Sequence, residues 1–202
     1  MKLYFSPGAC SLAPHIVLHE LGLPFQAVKT NTRERSTSDG SDFLAVNPKG
    51  YVPALLLDSG ESLTECPAIL QYLADRRPGS GLLPPAGTMA YYRTLEWVAF
   101  TATELHKGLG PIFRPGTPED LKASTRERVA GRFDFVAGQL AGRDFAVGTA
   151  FTIADAYLYV VIGWMKPAGL DRERWPVLRD YHARIGARPA VRAARQAEGL
   201  PA

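Results

Sequence analysis

Residues 47–75, NPKGYVPALLLDSGESLTECPAILQYLAD, decide how this chain is read. Asn47, Pro48, Lys49 and Gly50 form a turn cluster, and Tyr51, Val52 and Pro53 lead from it into the apolar run 54–57, which reads as a buried strand. A proline at a strand entrance brings no N–H. Its ring holds the preceding Val52 extended, so the N–H and C=O of Val52 can pair with an extended ligand alongside. A cis Val52–Pro53 bond would sharpen the turn. Asp58, Ser59 and Gly60 reverse the chain and 61–64 makes a second short strand. Glu65, Cys66 and Pro67 then open a helix, with proline at a favoured first position. Free N–H groups and aligned peptide dipoles at such a start attract an anion. The expectation is a small acidic peptide paired to Val52, with a carboxylate on the 65/66 turn. The alternative is an edge-strand proline followed by an ordinary cap.

On the N-terminal side, residues 2–6 read as a strand broken by Pro7, Gly8 and Ala9. Leu12, Ile16, Val17, Leu18 and Leu21 give residues 11–23 the spacing of an amphipathic helix ending near Gly22, and 25–29 is a second strand. Strand, helix, strand implies a parallel crossover. With the hairpin and helix of 47–75 the order becomes βαβ followed by ββα, that of a thioredoxin-like domain.

Beyond it, RRPGSGLLPPAGT at 76–88 concentrates Pro and Gly and marks a linker, after which only helical patterns follow. The division is a first domain at 1–78, a linker at 79–88 and an all-helical domain at 89–202. The fold class is α/β plus all-α. A long helix at 89–107 is ended or kinked by Gly108, Gly110 and Pro111. A second, 118–140, is opened by Thr117 with Pro118 at its first position. A third, 152–164, starts at a Thr152–Asp155 capping box. Two more, near 177–187 and 190–197, each follow a proline.

Composition narrows the function classes. With 23 basic and 20 acidic residues the net charge is +3, too balanced to argue for nucleic acid or an anionic membrane. Arg184, Arg188, Arg192 and Arg195 recur at helical spacing as a solvated face. No signal-peptide pattern or membrane-length apolar run is present, so a cytoplasmic location is expected. Cys10 and Cys66, the two cysteines, form no disulfide framework or zinc site. His15 and His19 sit four apart without a third ligand, so no metal is expected.

With these residues placed, the chain resembles a glutathione transferase of the bacterial beta class over essentially its whole length. The resemblance is carried by FSPGACSLAPHIVLHELG, AVNPKGYVPALLLDSGESLTE, ATELHKGLGPIF and FTIADAYLY, in that order. It implies a thioredoxin-like domain followed by a helical domain that supplies a hydrophobic substrate site. It also implies a homodimer, a detoxifying role and glutathione as co-substrate. Val52 is then expected to pair with the glutathione cysteine, cis Pro53 to shape the edge, and the Glu65–Cys66 turn to hold the γ-glutamyl group. Cys10 takes the position beside the sulfur, and Arg35 falls where the class commonly has lysine near the glycyl carboxylate. Thr103, Glu104, Leu105 and His106 match the stretch that closes the site, followed by Lys107. Two departures stand out: Ala99 where asparagine is common, and Cys66 where serine or glycine is usual.

Cys10 lies just ahead of a helix start, where the dipole favours its thiolate. It can donate a hydrogen bond to the glutathione thiolate or attack a disulfide; Ala13 in place of a second cysteine excludes a C-x-x-C mechanism. His106 and Lys107 are candidates for polarising a substrate, with Phe113 and Trp164 as apolar walls. Three functions follow: conjugation of the glutathione thiol to hydrophobic electrophiles, thiol transfer or reductive dehalogenation through Cys10, and non-catalytic ligand storage or partner docking. Cys10, Val52, Pro53, Glu65 and His106 together favour the enzyme.

Overall fold

The computed structural model describes residues 1–201. The chain forms two compact units, one of residues 1–83 together with the segment from Ala187 onward, the other Pro84–Gly186.

In the first unit, β1 (Lys2–Phe5) is followed by α1 (Leu12–Leu21), β2 (Gln26–Asn31), β3 (Ser36–Thr37), α2 (Phe43–Val46), β4 (Ala54–Leu56), β5 (Ser62–Thr64) and α3 (Cys66–Asp75). The sheet order is β3-β2-β1-β4-β5. β1 runs parallel to β2, pairing Lys2 with Gln26 and Phe5 with Lys29, and antiparallel to β4, pairing Leu3 with Leu55. The expected βαβ–ββα order is therefore present. The short pieces β3 and α2 carry too few residues for a periodic signal.

Alternation along β1 divides the core. Tyr4 joins Val28, Phe43, Val52 and Ala54 on one face. Phe5, on the opposite face, meets His15 of α1 with ring centroids 5.4 Å apart. α1 ends as Gly22 adopts φ 58°, a left-handed cap that glycine takes without a Cβ clash.

The helix α9 (Pro189–Ala197) packs on α1, so the last residues belong with the first unit and not with the helical domain to which 89–202 assigned them. Polar pairs explain the attachment. His15 Nδ1 lies 2.9 Å from Glu198 Oε1, with both side chains excluded from solvent, and Glu198 Oε2 accepts from the Gly8 N–H at 2.8 Å. Arg188 donates to both oxygens of Glu20, at 2.7 and 3.0 Å. A buried carboxylate needs such partners, and these are unreadable locally because 183 residues separate His15 from Glu198.

The second unit is helical: α4 (Met89–Phe100), a π-helical turn (Thr101–His106), α5 (Lys107–Phe113), α6 (Glu119–Leu140), α7 (Ile153–Gly163), a 3₁₀ turn (Arg172–Arg174) and α8 (Pro176–Gly186). Two expectations are corrected here. The first long helix does not stop at Gly108: it widens into the π turn and continues to Phe113 with Pro111 inside α5. Gly108 serves packing, since a Cβ there would stand 3.3 Å from Val129 Cγ2 of α6. At α6, Pro118 itself is the N-cap residue, with no side-chain cap, so Thr117 does not open the helix.

α7 is buried from Ile153 to Ile162. Its Asp155 accepts the Thr152 N–H and hydroxyl at 2.8 Å each, the Ala146 N–H at 2.7 Å and the Tyr181 hydroxyl at 2.7 Å. Burial raises its pKa above the ordinary carboxylate value, and these donors oppose the shift. The Thr152–Asp155 cap read from sequence is thus the centre of a larger network.

Candidate active site

Two clusters of candidate residues form, one in each unit. In the first, the Val52–Pro53 peptide is cis. Asn47, excluded from solvent, fixes the approach by donating its Nδ2–H to Tyr51 O at 2.6 Å and accepting from the Lys49 N–H at 3.1 Å. Val52 is 7% exposed and Cys10 8%. The turn before α1 brings the Cys10 thiol over the strand entrance, where it donates to the Val52 carbonyl at 3.4 Å. In the ligand-free chain that carbonyl is therefore taken by Cys10. A thiol is a weak donor, and its loss to a stronger N–H costs little.

Glu65 precedes α3 with φ 73° and ψ 119°, a left-handed conformation rare outside glycine and of the kind that marks functional turns. Its Oε1 accepts the Lys49 ammonium and the Tyr51 hydroxyl, each at 2.6 Å, and Lys49 also reaches Thr64 Oγ1 at 2.9 Å. The Glu65 hydrogen bond is the chief cause of the raised pKa values of both Lys49 and Tyr51. Cys66 turns inward: the residue is 4% exposed and its thiol donates to Cys10 O at 3.6 Å. The two cysteines are close neighbours, although 56 residues apart in sequence.

Arg35 is exposed, with φ 57°, in the turn before β3, at the sheet edge opposite β5. A cavity of about 490 Å³ on that side is lined by Ser6, Pro7, Lys29, Asn31, Arg33 and Ser38 among others. It shares with the Cys10 loop only Ser6 and Pro7, and contains none of the other candidates.

In the second unit the π turn carries the remaining candidates. Thr103 Oγ1 donates back to Ala99 O at 3.0 Å. Glu104 pairs with Arg132 of α6 at 2.9 Å. Leu105 is wholly buried, with its side chain in the core. His106 is half-buried, with Nδ1 2.6 Å from the Tyr157 hydroxyl of α7 and Trp164 edge-on at 4.9 Å. Phe113, 44% exposed, lies 6.3 Å from Trp164, extending an aromatic wall from His106. Lys107, at the start of α5, is exposed.

Sequence reasoning missed Lys49, Tyr51 and Tyr157. The first two stood within the quoted turn, and their oppositely charged or hydrogen-bonding complement to Glu65 across a hairpin was the available signal. Tyr157 had none, being 51 residues from His106. Among the described residues no group of three His, Cys, Asp or Glu side chains could hold a metal ion, and no helix is long and apolar enough to cross a membrane.

An α/β domain with a cis-proline edge and a following helical domain is the architecture of the glutathione S-transferases, and family models for their N-terminal and C-terminal domains match residues 8–76 and 100–189. The chain belongs to the glutathione S-transferase family. It is 46% identical over 200 residues to glutathione S-transferase GstA of Escherichia coli O157:H7, covering 99% of this chain and 100% of that one. A sphingomonad glutathione S-transferase solved in complex with glutathione superposes with a TM-score of 0.95 at 51% identity over 100% of both chains. The bacterial beta class glutathione S-transferase of Sphingomonas chungbukensis superposes with a TM-score of 0.96 at 46% identity, again over 100% of both.

Proposed function

We propose that this chain conjugates the thiol of glutathione to small hydrophobic electrophiles, acting as a cytoplasmic homodimer in detoxification. The observation that carries the reading is the Glu65 carboxylate, which already holds a primary ammonium, that of Lys49, on a strained turn at a helix start. The γ-glutamyl α-ammonium is the same chemical group, and the backbone N–H of Cys66, at the start of α3, is assigned to the neighbouring α-carboxylate. The backbone of Val52 pairs with the cysteinyl residue, cis Pro53 holds that edge, and Cys10 stands beside the sulfur. Arg35 is assigned to the glycyl carboxylate.

Held this way, the sulfur is stabilised as thiolate by the Cys10 thiol and the α1 start, both favouring negative charge. Within the second unit, Phe113 and Trp164 are assigned to the electrophile as an apolar wall, together with Thr103, Glu104, His106 and Lys107. The protein then contributes orientation and charge stabilisation without a covalent step.

A second reading, thiol transfer, is favoured by the 3.4 Å contact of Cys10 with Val52 O, because it places a protein sulfur next to the residue that would hold the glutathione cysteine. One experiment separates the two. Cys10→Ser keeps a hydroxyl donor but no nucleophile, so conjugation of 1-chloro-2,4-dinitrobenzene should persist while reduction of hydroxyethyl disulfide is lost. Equal loss of both in a folded variant would reject the assignment of Cys10 as a donor. Absence of glutathione binding by calorimetry in the wild type would reject the proposal entirely.

A further inference from the structure

The two cysteines of this chain stand far apart in sequence and meet inside the first unit. Cys10 lies in the turn before α1, and its thiol reaches the Val52 carbonyl at 3.4 Å, on the edge assigned to the glutathione cysteine. Cys66 is the first residue of α3, and its thiol reaches Cys10 O at 3.6 Å. Both are buried thiols, with no disulfide between them. The oxygen that Cys66 touches belongs to the same residue as the Cys10 sulfur, so rotation about the Cα–Cβ bond of Cys10 governs how closely the two sulfurs approach. Each thiol also stands at a helix start, where aligned peptide dipoles favour the thiolate, the nucleophile of disulfide exchange. Burial keeps thiols from solution away from such a pair. A thiol already held beside a disulfide has the advantage over one that must diffuse to it.

We propose that Cys66 is the resolving thiol for Cys10: a mixed disulfide formed on Cys10 is cleared by Cys66, which leaves a Cys10–Cys66 disulfide within the first unit. The inference rests on the thiol-transfer reading given above. It supplies through the fold the second cysteine that the C-x-x-C position, Ala13, lacks. The Cys10 thiolate attacks one sulfur of glutathione disulfide. A bond forms between Cys10 and that glutathione, the substrate S–S bond breaks, and the departing thiolate takes up a proton. Cys66 then gives its proton to solvent and attacks the Cys10 sulfur, and the second glutathione leaves as a thiolate that is protonated in turn. The substrate disulfide gains two electrons and becomes two thiols; the protein dithiol loses the same two and becomes a disulfide. Excess glutathione returns the pair to thiols by the reverse steps, so its state follows the ratio of glutathione disulfide to glutathione.

The test is mass spectrometry of the reduced full chain after incubation with glutathione disulfide and an alkylating quench. The wild type should end two hydrogens lighter, with the peptides of Cys10 and Cys66 joined in an unreduced digest and little glutathione retained. Cys66→Ser offers only a hydroxyl, which is protonated and a poor nucleophile, so it should accumulate one glutathione on Cys10. Release of that glutathione without added thiol should be more than about tenfold slower than in the wild type. The wild-type masses decide the matter even if Cys66→Ser fails to fold. A wild type that keeps glutathione on Cys10 as a lasting adduct, with Cys66 open to alkylation, overturns the proposal and leaves thiol transfer through Cys10 alone standing. A wild type that neither takes up glutathione nor joins its cysteines overturns the proposal together with the thiol-transfer reading.

Discussion

Two carboxylates at helix starts divide the molecule by purpose. Asp155, at the start of α7, is wholly buried and meets four donors from Thr152, Ala146 and Tyr181. Glu65, at the start of α3, has a side chain 47% exposed, and Lys49 and Tyr51 both bond to its Oε1. Asp155 is answered by groups that have nowhere else to go. Glu65 is answered by a flexible lysine and an exposed tyrosine that solvent or another ammonium can replace at little cost. A buried carboxylate with a closed shell specifies structure; an exposed one on a strained turn can exchange its partners.

Removing each carboxylate should therefore break different properties. Asp155→Ala strands buried donors of three residues and should cost ~3–5 kcal/mol of unfolding free energy, read by urea denaturation, while the folded fraction binds glutathione normally. A loss below about 1 kcal/mol would mean the network is replaceable by water. Glu65→Gln should do the reverse. Unfolding free energy should move by less than about 0.5 kcal/mol, since the lost pair is exposed. The glutathione dissociation constant should rise by an amount corresponding to ~1–3 kcal/mol. A change under twofold in calorimetry would show that the ligand's ammonium lies elsewhere.

The same contrast explains what the sequence disclosed. Local chemistry was legible: the proline edge, the Glu65–Pro67 helix start, the Gly22 stop and the Thr152–Asp155 cap depend on residues a few positions apart. The distant complements were not. Nothing near Asp155 announces Tyr181, and nothing near His15 announces Glu198, so α9 was grouped by adjacency with the helical domain when its buried polar contacts tie it to α1. Gly108 and Pro111 carry the composition of a helix end, but tight packing of α5 on α6 uses the glycine and carries the helix through. The π turn at Thr101–His106 has no sequence signature of its own, and with it went the means to foresee how His106 meets Tyr157.

The smallest predicted effect concerns a buried edge that finds no complement at all. His19 Nε2 is buried without a hydrogen-bond partner among the described residues, and the ring stacks on His15 at 5.2 Å and meets Phe25 edge-on at 5.5 Å. Burial lowers its pKa, and the neighbouring His15 lowers it further. The unfolded chain therefore binds the proton more readily than the folded one. The sign follows: the contribution to stability is present above the unfolded value, about 6.5, and is lost as pH falls through the lowered folded value. Urea unfolding at pH 7.5 and 5.5 should show the wild type weakening on acidification more than His19→Gln, which has no proton to take up there. His15 and its Glu198 partner remain in both proteins, so the difference between the two slopes isolates His19. Equal slopes would mean that the His19 ring accepts its proton in place, with the buried edge opening to water, and that an unanswered polar group in this unit is tolerated as readily as the exposed Glu65.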